Sequence, residues 1–285
     1  MHGLPTETVP AGPVSGDYVA LSFRFCVSAD VELGARFARA YAPLAVSYEG
    51  EPAEHGLSIR EVGTNIIVQL DDEPALRVAD REQALTAAMS LIDAASVRAT
   101  SDLLLIHASA VRSPKGLVLF AGASGAGKST LAAACTARGF TYIGDEVLGI
   151  DRGGRRMRSN PKPFKLDEAS VQALMLFAGI QLPHATPHSP EVVVAPQELG
   201  SSVQKAWVRA PSVVMQVAFA PGAGAEIARV SRADVAELLA DQCFNFARWG
   251  ARGLDLVAAL ARQTTGYRLV FGDLDAAVRT IESVM

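Results

Sequence analysis

The run Gly122-Ala123-Ser124-Gly125-Ala126-Gly127-Lys128-Ser129 satisfies G-x-x-x-x-G-K-[ST] at every position. Such a loop binds phosphate through its backbone: the glycines let successive N–H groups turn inward as a nest around a β-phosphate. Lys128 would neutralise the β and γ oxygens, and the Ser129 hydroxyl would ligate Mg2+. A helix opening at this point adds the positive end of its dipole. Leu117 to Ala121 precedes the loop as a short, wholly apolar segment of the kind buried inside a sheet, and Gly139 stops the helix expected from Lys128 to Arg138. The expected occupants are ATP and Mg2+, with Thr130 the next residue in contact with the nucleotide.

Asp145 and Glu146 arrive 17 and 18 residues after Lys128, at the end of a strand expected over Phe140 to Ile143. Ligand sites in α/β sheets lie beyond the carboxyl ends of strands, so this pair should return to the loop. Two adjacent carboxylates beside a metal–triphosphate can divide the labour. Glu146 is assigned with Ser129 to Mg2+; Asp145, also within reach of the metal, is assigned to accept a hydroxyl proton. His107 enters through strand register. If Leu103–Arg112 and Leu117–Ala121 pair about the turn Ser113-Pro114-Lys115-Gly116 with Arg112 opposite Leu117, His107 falls opposite Gly122, at the mouth of the loop. Lys162 and Lys165, stiffened by Pro161, Pro163 and Phe164, are expected to contact phosphate or an acidic substrate. Arg152, Arg155, Arg156 and Arg158 just before them read as a solvated charged loop.

Around these residues the pattern supplies two units. Tyr18 to Val27 reads as a strand, Ala29 to Tyr41 as a helix, Leu57–Val62 and Asn65–Leu70 as a hairpin about Gly63-Thr64, and Arg81 to Arg98 as an Ala-rich helix. Together they make a small α+β module over residues 17–98, after a disordered tail of residues 1–16. The module carries no phosphate motif and is expected to help choose the acceptor rather than the nucleotide. Residues 99–285 form the second unit. Strands are expected near Glu191–Ala195, Val203–Arg209, Val213–Ala220 and Tyr267–Phe271, with helices near Arg232–Leu239, Leu254–Arg262 and after Gly272. Strand–helix alternation around the loop makes this unit α/β.

Composition narrows the partners. A formal charge of −4 argues against a nucleic-acid surface, which usually shows as a basic excess. Lysine is scarce, five against 21 arginines, and three of the five are the site candidates above. Cys26, Cys135 and Cys243 are widely spaced without a C-x-x-C, which argues against disulfides or zinc and fits a reducing cytosol. No apolar stretch approaches the ~20 residues of a membrane helix, so the expected location is cytoplasmic, away from membrane. Whether the chain forms a homo-oligomer is left open.

Three stretches together carry a resemblance: Ile-His107-Ala-Ser-Ala-Val, the loop continued as Ser-Thr-Leu-Ala, and Gly-Phe140-Thr-Tyr-Ile-Gly-Asp145-Glu146. In this order and spacing they resemble the HPr kinase/phosphorylase superfamily. Asn160-Pro-Lys-Pro-Phe-Lys-Leu166 and Tyr267-Arg-Leu-Val-Phe-Gly-Asp-Leu-Asp275 look like the HPr-kinase-related proteins, some of which sit in peptide-modification clusters, including lasso-peptide ones. The resemblance spans roughly residues 100–285, densely over 105–168. It implies an α/β P-loop kinase core related to phosphoenolpyruvate carboxykinase. It also implies phosphate and Mg2+ binding by Lys128 and Ser129, a base at Asp145 and an active-site position for His107. Asp145-Glu146 stands where the family usually has Asp-Asp. The long C-terminal signature of true HPr kinases is not recognisable, so neither HPr as acceptor nor phosphorylase activity is carried over.

These observations lead to an expected ATP-dependent kinase that transfers the γ-phosphoryl group to a hydroxyl of a peptide or protein serine. The alternatives are a small-molecule kinase of the same fold, which needs a closed pocket with polar anchors, and a nucleotide-dependent binding module without turnover. A carboxykinase ranks below both, because no second His/Lys metal cluster is visible.

Overall fold

The computed structural model describes residues 14–47, 53–200 and 202–285. Of the expected tail, residues 1–13 lie outside the described residues, whereas residues 14–16 already belong to the first strand. The chain is mixed α/β, with several mixed sheets.

The first unit comprises β1 (Val14–Ala20), β2 (Phe23–Ala29), α1 (Val31–Tyr41), β3 (Ala45–Val46), β4 (His55–Val62), β5 (Asn65–Leu70), β6 (Leu76–Val78) and α2 (Arg81–Ala99). Its strands order β3-β1-β2-β4-β5-β6, antiparallel except for the β2–β4 pair. Both helices bury an apolar stripe on the sheet: Leu33, Phe37 and Tyr41 from α1, and Leu85, Met89 and Ile92 from α2.

The single strand expected over Tyr18–Val27 is instead a hairpin. Its two-residue turn puts Leu21 at φ +55, a conformation that normally calls for Gly or Asn. Left-handed backbone costs a non-glycine residue roughly 1–2 kcal/mol. Leu21 is 4% exposed among Leu103, Leu105 and Val147, and burying a leucine returns about 1.5–3 kcal/mol. Packing wins here against local preference.

The second unit begins with β7 (Leu104–His107), β8 (Ser109–Ser113), β9 (Gly116–Ala121), α3 (Lys128–Ala137), β10 (Thr141–Gly144), β11 (Val147–Ile150), β12 (Arg156–Arg158), β13 (Phe164–Asp167) and α4 (Glu168–Ala178). It continues through β14 (Glu191–Val194), β15 (Trp207–Arg209), β16 (Val213–Phe219), β17 (Ala225–Arg229), α5 (Arg232–Asp241), α6 (Phe246–Trp249), α7 (Ala251–Gln263), β18 (Thr265–Phe271) and α8 (Leu274–Val284). A six-stranded sheet runs β10-β8-β9-β16-β18-β17, a four-stranded sheet β15-β12-β11-β7, and β13 pairs with β14 alone.

Within the six-stranded sheet β9, β16 and β18 are parallel neighbours. β8 is antiparallel to both β9 and β10, so β10 points the same way as β9. Four carboxyl ends therefore share one edge. Among them is the end of β9, from which the glycine loop springs.

The expected strand Leu103–Arg112 is two strands. The register expected around the turn is present, with Arg112 opposite Leu117 and Ser109 opposite Phe120. At Ala108 the chain leaves that sheet, and β7 pairs with β11 instead. His107 consequently lies opposite Val147, not opposite Gly122. The strand expected over Val203–Arg209 is confined to Trp207–Arg209; Val203 makes only an isolated bridge to Tyr142.

The two units share interior contacts. Val193 of β14 packs into the core of the first unit. Asp93 of α2 accepts a 2.7 Å hydrogen bond from Lys162 Nζ, whose side chain is 1% exposed against 23% for that of Asp93. Removing one partner of a largely buried pair leaves the other charge unanswered. Asp93→Ala should lower stability to urea by about 3 kcal/mol, the lower end of the range for such pairs because Asp93 is partly wetted. A loss under 1 kcal/mol in equilibrium unfolding would show that the junction is not held by this contact.

Candidate functional site

The loop's geometry begins with backbone conformations open to glycine. Gly122, Gly125 and Gly127 have φ of +152°, +75° and +87°. Gly127 is the N-cap of α3, and a Cβ on it would lie 2.8 Å from Phe271 Cζ. Alanine there would meet both strain and a clash. Lys128 follows, 6% exposed, with Nζ folded back to donate to the carbonyls of Gly122 and Ala123 at 3.0 Å each. Burial lowers its pKa, while Glu146 and Asp145 pull the other way.

Asp145 reaches the loop because β10 delivers it to the same edge. It is 2% exposed. Its Oδ1 accepts hydrogen bonds from Ser129 Oγ at 3.0 Å and from the buried Ser109 hydroxyl of β8. Oδ2 is also buried, and it has no hydrogen-bond partner. Burial raises the Asp145 carboxyl above its ordinary value, against the opposing pull of Lys162.

Glu146 is presented by unusual backbone. Its φ is +67°, and the Val147 amide donates to the Asp145 carbonyl at 2.9 Å, closing a three-residue turn around it. Positive-φ turns of this size are rare and strained, and strain of this kind collects at functional positions. The turn aims the side chain at His107, with Nε2 3.0 Å from Oε2. His107 in turn packs its ring 5.5 Å from Phe244. The His107 hydrogen bond holds the Glu146 carboxyl down to about 2, outweighing burial with help from Lys162.

A third segment closes in behind the acidic pair. Gly144 carries no side chain because the Asn160 carbonyl stands 2.6 Å from where a Cβ would be. Tyr142 Oη donates to the Lys162 carbonyl at 2.9 Å. These contacts bring Lys162 into the interior beside the carboxylates. Burial disfavours its charge, but Asp93, Asp145 and Glu146 outweigh that and raise its pKa. Lys162 thus faces Asp93 rather than the open space where a phosphate contact was expected.

That space is a cavity of about 810 Å3. It is lined by Ser124, Lys128, Ser129 and Thr130 of the loop and α3, by His107, Glu146 and Lys165, and by Phe219 and Leu274. Lys165 also lies 3.6 Å from Glu191. Thr130 exchanges a 2.8 Å hydrogen bond with Ser170 of α4. Asp145 sits behind Ser129, outside the cavity wall. A second cavity, about 590 Å3 between the first unit and residues 183–186, contains none of these groups. Arg156 and Arg158 stack over Trp207 on an outer strand, apart from the site.

The residue types fit a magnesium–triphosphate. A buried carboxylate oxygen without a donor calls for a proton or a cation; Asp145 Oδ2 is such an atom beside the loop, as is Glu82 Oε2 in the first unit. Among the described residues no group of three or more His, Cys, Asp and Glu side chains could hold a metal ion. An ion here would need phosphate oxygens as well as protein ones, the usual habit of Mg2+.

Sequence reasoning overlooked Ser109, Ser170 and Asp93. Ser109 had a signal, a hydroxyl in an otherwise apolar buried strand. Asp93 had none, because one acid on a helix looks solvated until its partner is known. No helix among the described residues is long and apolar enough to cross a membrane. No family model matches the chain, and no curated protein sequence matches it.

The opposing environments of the two acids make a pH test. A carboxyl depressed on folding stabilises fully above its ordinary value, 4.5 for Glu146, and loses that contribution as pH falls toward about 2. With its side chain 35% exposed the effect is screened, and Glu146→Gln should cost roughly 1 kcal/mol at pH 7. Urea titrations should show the gap between variant and wild type closing as pH falls from 4.5 toward 2. A gap independent of pH would contradict the pairing with His107.

Proposed function

We propose that the chain is an ATP-dependent kinase with a P-loop core of the HPr kinase and phosphoenolpyruvate carboxykinase type. It transfers the γ-phosphoryl group to a hydroxyl, with a serine of a peptide or protein as the acceptor. The observation that carries this reading is the 3.0 Å hydrogen bond from Ser129 to Asp145. It ties the hydroxyl of a complete phosphate loop to a buried carboxylate at the same sheet edge.

In this reading the loop amides and the α3 N-terminus hold the triphosphate, and Lys128 answers its β and γ oxygens. Ser129 with Glu146 would hold Mg2+, which when bound neutralises charge on the phosphate oxygens. Asp145 Oδ2 takes the proton of the acceptor hydroxyl as the new O–P bond forms and the bond to the leaving ADP oxygen breaks. His107 orients Glu146. Catalysis comes from positioning and charge, as is usual for phosphoryl transfer.

One observation favours the reverse division of labour. Glu146 lines the cavity with His107, whereas Asp145 lies behind Ser129. Basicity favours Asp145: burial raises its pKa, while the His107 hydrogen bond holds Glu146 down to about 2.

Lys128→Ala should abolish stabilisation by MgATP, which linkage sets at about 2.7 kcal/mol with ligand at 100 times its Kd. Undiminished stabilisation in a thermal shift assay would remove the loop from the site. Asp145→Asn should reduce transfer to a cognate acceptor by about 10²–10⁴-fold with little change in ATP affinity. Glu146→Gln should instead raise the Mg2+ requirement. Exchange of those two outcomes would establish the reverse division.

A further inference from the structure

The phosphate loop has two sides, and strand order tells them apart. On one side, beyond β8, β10 delivers Asp145 and Glu146 to the shared carboxyl edge; on the other, β16 lies directly against β9 and delivers Phe219. Ser129 is tied to Asp145, so the transfer end of a triphosphate in the loop faces β10. On the opposite side of the loop, toward β16 and β18, lies the room for the nucleoside end.

There the cavity wall is aromatic. Phe219 is 51% exposed, while Phe271, its edge-to-face partner at 5.7 Å, is 1% exposed. A Cβ on Gly127 would lie 3.5 Å from Phe219 Cβ, so the exposed ring is rooted against the loop itself. Its support is tightly built. At Gly272, the residue after Phe271, a Cβ would stand 2.3 Å from the Ala220 carbonyl, which follows Phe219. A rigid, half-exposed aromatic at the nucleoside end of a phosphate site is a surface on which a base can stack.

The acidic side chains at this end are already engaged. Asp273 caps α8 by accepting from the Ala276 amide at 2.7 Å, and Asp275 pairs with Arg138 and Arg279. The face of a base, rather than its edge, is what this wall offers to read.

We propose that Phe219 is the platform on which the nucleobase of the bound triphosphate stacks, so that adenine and guanine nucleotides are accepted alike. This rests on the phosphate-loop reading above. Calorimetric titration of MgATP, MgGTP and magnesium tripolyphosphate into wild type, Phe219→Ala, Phe219→Trp and Lys128→Ala tests it. Removing a stacking aromatic weakens binding by about 5- to 150-fold. Phe219→Ala should lose that much for both nucleotides while keeping tripolyphosphate affinity within about twofold, and Phe219→Trp should retain nucleotide binding. Wild-type affinities for ATP and GTP should lie within about tenfold of each other, since both purines present a face of similar area to the ring. Unchanged nucleotide affinity in Phe219→Ala, or an equal loss for tripolyphosphate, would overturn the platform. A preference beyond about 100-fold for one purine would overturn reading by the face. If wild type binds none of the three ligands, the phosphate-loop reading itself fails, and Lys128→Ala serves as its separate control.

Discussion

Keeping the Asp145 carboxylate out of water is the constraint around which the second unit is arranged. An isolated buried carboxylate is costly, and proteins keep one only with partners that offset the loss of hydration. Here the partners come from all over the chain: Ser109 from β8, Ser129 from α3, and Lys162 from the segment behind β10. Ser129 is available because β9 and β10 end at one edge, and Ser109 because the antiparallel β8 begins there. The arrangement leaves the other carboxylate oxygen, Oδ2, buried without a hydrogen-bond donor.

The neighbouring residue departs further from what stability alone would choose. Glycine or asparagine would sit at φ +67° with less strain, yet glutamate occupies the turn. Its carboxylate is recovered by His107, and the two opposite environments separate acids that are adjacent in sequence. One is pushed toward basicity by burial and the other held ionised by a hydrogen bond. Environment, not residue type, makes the pair asymmetric.

Much of this was legible in the residues. The glycine loop, the strand before it, the stop at Gly139 and the return of the acidic pair all follow from local chemistry. The hairpin register at Arg112 and Leu117 followed from its turn. What escaped was decided at long range. Nothing near Ala108 announces that the strand changes sheets, which is why His107 reached the site by pairing with β11 rather than through the hairpin. The turn at Leu21 lacks the Gly or Asn that its backbone favours, because packing in a buried pocket holds it there. α4 is a different case: Asp167 caps its start and Gly179 ends it, both ordinary signals, but its apolar residues wrap too much of the helix to give a clear stripe.

The Lys162–Asp93 bond has a meaning for how such a chain is made and inherited. Ribosomal synthesis releases α2 long before residue 162, so the first module emerges with its acid unanswered and the core of the second still incomplete. The site is therefore finished late, after both segments have met. A gene fusion that exchanged the first module for another would also have to supply an acid at that place on a helix, or strand a lysine in the interior. The two units are separate in topology but are one piece of heredity.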